Sequence, residues 1–170
     1  MLTSEGMTDA ILRAMKYPSG FEPETSSVYG RNEIIVAAPP ERVWRWIIRA
    51  ANWPKWYAHS ADVEFLSGSP PDLAGGTEFR WKTFGTTPTC RVFIFDPPHE
   101  IGWEARSILG AYHGWTVEPD GRGGCRVITD ECQNGIIPKL ISWYLRPLVI
   151  NAHQYWLERL KAMAEAGEPG

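Results

Sequence analysis

Apolar and polar residues alternate through the middle of the chain, and the spacing changes to a helical one towards both ends. Asn32 to Val36 reads as a strand that ends at Pro39-Pro40. Pro40 suits the first position of a helix, where its missing N–H costs nothing, and Glu41 complements the helix dipole. Val43, Ile47 and Ala50 follow at i, i+4 and i+7 beside Trp46, while Arg42, Arg45 and Arg49 fall on the opposite, solvated face. Pro54 breaks this helix and leaves Trp53, Trp56 and Tyr57 in a second short helix or turn.

Six further strands are predicted. They are Ala61–Leu66, Thr77–Phe84, Thr89–Asp96, Glu100–Ser107, Ala111–Glu118 and Cys125–Cys132. Phe79, Trp81 and Thr83 share a face, as do Ile101, Trp103 and Ala105, and His113, Trp115 and Val117. Asp120 to Gly124 is a hairpin signal, and the short connections imply an antiparallel meander. Ile136 to Ala166 then reads as one long helix, in which Pro147 predicts a kink or a split. The polar tail from Glu165 to Gly170 is expected to fray. The order is strand, two short helices, six strands, long helix: an α+β domain. A sheet with one polar face must bury the other, only one long helix is available to cover it, and a cavity can remain where the two diverge.

Before this domain, over residues 31–167, lies an arm of residues 1–30. Thr8 can cap a short helix from Asp9 to Lys16, and Phe21 to Tyr29 reads as irregular. The N-terminus has acids and no apolar stretch of the kind a secretory signal needs.

Composition narrows the function classes. The 170 residues are 44% hydrophobic and 22% charged with a net charge of −3, which gives no electrostatic case for nucleic acid. No apolar run is long enough for a membrane span. Three cysteines without paired spacing argue against a disulfide framework and a zinc site, and reduced cytoplasmic thiols are the plain reading. Nine tryptophans are more than a chain of this size usually carries, and large aromatics often line apolar pockets.

The segments APPERVWRWIIRAANWPKWY, GGTEFRWK, DPPHEIGWEA, HGWTVEPDGRGGCRVITDE and HQYWLERLKAMAE, in that order over about Asn32 to Gly167, resemble the START-like or Bet v 1-like superfamily (SRPBCC). Within it they resemble bacterial polyketide cyclase/dehydrase-type members. The resemblance implies a helix-grip fold, a seven-stranded antiparallel sheet wrapped around the C-terminal helix with an apolar pocket between. It also implies a hydrophobic ligand such as a lipid or polyketide, and for some members cyclisation or dehydration. The family has no universal catalytic motif.

Individual residues therefore carry the chemistry. His113, beside Trp115 and Val117, faces inward and can serve as an acid or base near neutrality. If Trp115 pairs with Val127, His113 lies opposite Thr129 and diagonal to Glu131, and a His113–Glu131 pair can move a proton next to a ketone. A one-residue slip would put Glu131 outside. On the long helix Tyr144, Asn151 and Tyr155 share a stripe, with His153 off it and towards solvent. Trp81, Trp103, His113, Trp115, Tyr144, Asn151 and Tyr155 are the expected ligand contacts. No nucleotide or metal motif is present, so no cofactor is expected. Three readings compete: a binder of a small hydrophobic molecule; a cyclase or dehydratase using His113 with Glu131 or Tyr155 as acid–base groups; and an interaction module, a homodimer included, built on an aromatic patch of Trp53, Trp56 and Tyr57.

Overall fold

The architecture follows from one antiparallel ladder closed at its far edge by the first strand. A computed structural model of the protein describes residues 16–107 and 109–170. The helix expected over Asp9–Lys16 falls almost wholly outside them. Strand β1 runs Val28–Val36, and α1, Pro40–Ile48, follows it. A 3-10 turn, Ala50–Asn52, leads into α2, Trp53–Trp56. The meander comprises β2 Ala61–Phe65, β3 Glu78–Lys82, β4 Thr89–Asp96, β5 Glu100–Arg106, β6 Ala111–Pro119 and β7 Cys125–Gln133. Helices α3, Ile136–Leu140, and α4, Ser142–Ala166, end the chain. Spatial order is β1-β7-β6-β5-β4-β3-β2, with every neighbouring pair antiparallel. The expected helix-grip arrangement is thus present.

Three expectations change. First, β1 starts at Val28 rather than Asn32, because it pairs with β7 over its whole length, from Val28↔Gln133 to Val36↔Cys125. Second, the long helix breaks at Ile141 and not at Pro147, which sits inside α4. The carbonyl that Pro147 leaves without a helical donor belongs to Trp143, a residue open to solvent at 77% exposure, so water can satisfy it. Third, the tail is anchored instead of frayed. Trp46 Nε1 donates to the Gly167 carbonyl at 2.9 Å, and Arg45 grips Glu168 with two bonds of 2.7 Å. Arg49 also donates to the Pro169 carbonyl at 3.0 Å.

The Val43–Ile47–Ala50 face of α1 is buried as the spacing predicts. The aromatic cluster after it is core and forms no exposed patch: Trp53, Trp56 and Tyr57 are all buried. Trp53 packs edge-on against Phe79, Trp81 and Trp156, with ring centroids 5.3–6.0 Å apart. Its indole N–H donates to the Ile47 carbonyl at 3.0 Å, so the ring is buried without an orphaned donor. This removes the surface on which the interaction-module reading stood.

The opposite sheet face is partly covered by the arm. Tyr17 and Phe21 pack on the Tyr112 ring, and Tyr112 donates to the Lys16 carbonyl at 3.1 Å. Asp130, fully buried on this side, accepts from Tyr17 at 2.5 Å and pairs with Arg31 at 3.1 Å. Tyr112 lies flat over Gly102, where a Cβ would meet its hydroxyl at 2.0 Å, so that strand position requires glycine. Tyr112, Gly114 and Thr116 are all buried on this side, although alternation alone would place them in water.

Candidate functional site

Between the concave face of the sheet and the first half of α4 lies a cavity of about 440 Å³, within the range of small-molecule pockets. Its walls are mostly apolar, with Trp81, Trp103 and Ala105 from the sheet and Leu148, Val149 and Trp156 from α4. Phe84, Thr86 and Pro88 in the β3–β4 turn face Tyr144 and Leu148 around the rim. Phe84, Tyr144 and Leu148 are all exposed in part.

Polar side chains gather at one place on this apolar lining. His113 on β6, Glu131 and Gln133 on β7, and His153 on α4 all border the cavity. His113 pairs directly with Glu131 across the strands, because the hairpin closes at Pro119↔Cys125 and puts Trp115 opposite Thr129. The expected register was off by two residues. A shift of two preserves the face, so Glu131 still points inward and comes closer than a diagonal position would allow. Glu131 Oε2 lies 3.2 Å from His153 Nε2 and 3.8 Å from His113 Nδ1. Gln133 Nε2 donates to the other carboxylate oxygen. His113 and His153 stack with centroids 4.8 Å apart.

The Thr129 hydroxyl lies 2.7 Å from His113 Nε2 and 3.2 Å from the Gly114 carbonyl, so it ties the imidazole to the β6 backbone. Burial, reinforced by His153, pushes the His113 imidazole down to about 3, so it is neutral at physiological pH. Burial raises the Glu131 carboxyl, but the hydrogen bond and charge of His153 outweigh it and bring the group to about 2. Glu131 is thus a carboxylate held beside two imidazoles.

Of the expected ligand contacts, Trp81, Trp103, His113 and Tyr144 line the cavity. Trp115 does not: it is buried behind His113, packed on Trp156 at 5.0 Å. Tyr155 sits beside the cavity against Tyr57 and His59. Asn151 is exposed and borders a separate groove with Trp143 and Arg146. His153, expected to face solvent, is buried at the centre of the polar group. The inward stripe of α4 is Leu145, Val149, Ala152, His153 and Trp156, one step round from Tyr144–Asn151–Tyr155. Its apolar members repeat at i, i+4, i+7 and i+11, a signal present in the sequence that also places His153 inside.

A family model described as polyketide cyclase / dehydrase and lipid transport matches residues 30–165. The chain belongs to this family. Among functionally curated proteins none matches the chain. Solved structures with the same fold include the hypothetical protein jhp0584 from Helicobacter pylori, 24% identical with a TM-score of 0.83, over 90% of this chain and 97% of that one. The Zhui aromatase/cyclase from Streptomyces sp. R1128 is 17% identical, TM-score 0.69, over 83% and 98% of the two chains. The di-domain aromatase/cyclase StfQ of the steffimycin pathway is 19% identical, TM-score 0.67, and the match spans 82% of this chain but 51% of that one. No helix among the described residues is long and apolar enough to cross a membrane.

Proposed function

We propose that this protein binds one small hydrophobic molecule, a lipid or an aromatic polyketide-like compound, with a polar end directed at His113, Glu131 and His153. One observation carries the reading: a cavity of about 440 Å³ has tryptophan and aliphatic walls and a single buried polar cluster. Apolar walls supply affinity through area removed from water, and a few polar groups fix orientation. The family description and the aromatase/cyclases of the same fold support the ligand class.

Native mass spectrometry and thermal shift with lipid and polyketide panels test it. Saturable 1:1 binding is expected, and Ala105→Phe, which projects a ring into the cavity, should abolish it while the fold persists. Equal binding by that variant, or no binding from either panel, overturns the proposal.

Turnover is the second reading, favoured by the facing of His113 and Glu131 on the cavity wall. Both groups have low proton affinity and are poor bases at neutral pH, which ranks binding first. His113→Ala should abolish conversion of a bound polyketide mimic and leave its binding intact; unchanged conversion removes His113 from any mechanism.

A further inference from the structure

We propose that His113, Glu131 and His153 form a binding site for a divalent first-row transition cation such as Zn²⁺. Each residue offers one ligand atom, and the three atoms lie within 4.8 Å of one another. A tetrahedral cation with bonds of about 2.0–2.1 Å holds its ligand atoms about 3.3 Å apart. The distances from Glu131 Oε2 to His153 Nε2 and His113 Nδ1, 3.2 and 3.8 Å, already bracket that spacing. The two stacked imidazoles are the pair that must turn most to close on an ion.

Two observations besides the spacing point to a cation. The first is the donor set: Glu131 Oε2 has two imidazole nitrogens within 3.8 Å and, among the described residues, no Lys or Arg as ion-pair partner. The second is an orphaned nitrogen: His153 is buried and its Nδ1 has no hydrogen-bond partner, so the ring has a free nitrogen at the cluster.

The surroundings are those of a ligated histidine. With His113 Nδ1 on an ion, its Nε2–H would donate to Thr129, which also contacts the Gly114 carbonyl: the outer hydrogen bond that orients a metal-binding imidazole. Gln133 steadies the second carboxylate oxygen in the same way. Two imidazoles and a carboxylate suit borderline cations such as Zn²⁺ or Fe²⁺ better than Mg²⁺ or Ca²⁺. All three residues border the cavity, so a further coordination position is open to water or to an oxygen of a bound molecule.

The site was invisible to spacing rules, because its ligands come from two strands and a helix across about forty residues of sequence. The inference shares a location with the hydrophobic-ligand reading but does not depend on it. Metal content is measured without any organic ligand, so either proposal can fail alone.

The experiment uses the full chain, stripped with a chelator and dialysed against Zn²⁺, with metal content read by mass spectrometry. Co²⁺ is titrated in parallel, and ligand-field absorption in the visible reports nitrogen and oxygen coordination. One equivalent of zinc is expected. Glu131→Gln and His153→Ala should each weaken binding at least tenfold. Thr129→Val, which removes a positioning hydroxyl, should weaken it about 10–100-fold with unchanged stoichiometry. His59→Ala, outside the cluster, should match the wild type. Zinc well below one equivalent in the wild-type protein, or equal retention by Glu131→Gln, overturns the proposal. Circular dichroism identifies any variant that fails to fold, and the wild-type cobalt spectrum decides the matter without variants.

Discussion

The two halves of α4 are one continuous helix with opposite roles. The second half is packed: Trp156, Leu157, Leu160 and Ala164 are all buried, and α1 and the tail close over it through Arg42, Trp46 and Glu168. The first half stands off the sheet. Trp143 and Tyr144 are exposed, Leu148 is at the limit, and the cavity lies beneath. The difference arises from what is opposite. Trp53 and Trp115 pack on Trp156 under the second half and Trp81 and Trp103 wall off the cavity from it, whereas small residues, Ala105 and Ala111, lie on the strands under the first. Stability thus resides at one end of the helix and binding space at the other.

The largest break in that comparison should come from Trp53→Ala. It empties the ring on which four aromatic side chains converge and should cost about 3–5 kcal/mol in denaturant unfolding. Leu160→Ala in the packed half should cost about 2–5 kcal/mol. The matching change in the open half, Leu148→Ala, should cost less than about 1 kcal/mol, since a third of that side chain already meets water. If the two leucines cost the same, the contrast between the halves is wrong.

The open half has one tight point. At Gly30 of β1 an added Cβ would meet Val149 Cγ1 at 2.8 Å. Gly30→Ala should therefore lose about 1–3 kcal/mol and displace a cavity-lining side chain, seen as a shifted ligand affinity as well as a lower unfolding midpoint. A neutral result would mean that α4 floats freely over β1. Alkali should act on the packed regions. Burial pushes the Cys90 and Cys125 thiols from 9.0 to about 12. The native chain holds protons there that the unfolded chain releases, so this stability is full below pH 9 and is lost as pH rises towards 12. Urea midpoints that stay flat from pH 8 to about 11 would contradict it. The smallest effect is expected at the tail: Glu168→Ala removes exposed, solvent-screened ion pairs with Arg42 and Arg45 and should leave the urea midpoint at the wild-type value.

How the chain reads as sequence depends on the range of the forces involved. Alternation in β3, β5 and β6 follows directly from a pleat, and it correctly turned Trp81, Trp103 and His113 inward. The inward face of Glu131 was also legible, although the pairing was misjudged by two residues, because an even shift leaves the face unchanged. Local pattern failed where two elements meet. The Tyr144–Asn151–Tyr155 stripe points His153 to solvent, whereas the aliphatic stripe beside it is the one that packs inward and takes His153 with it. Trp53, Trp56 and Tyr57 fit an exposed patch in one of the three readings because nothing local says that β3 and β5 pack around them. Alternation cannot announce that Tyr112 is buried on the other face, because the arm residues that pack on it, Tyr17 and Phe21, are remote in sequence.

By itself, then, the sequence determined the element order, the inward faces of the strands and the family, since these depend on periodicities and turns that act over a few residues. The tertiary structure decided where the cavity lies and which polar groups share it. His113, Glu131 and His153 meet only because a hairpin register and a helix rotation are set by packing across the whole domain, and no spacing along the chain encodes a distance of 3.2 Å between Glu131 and His153.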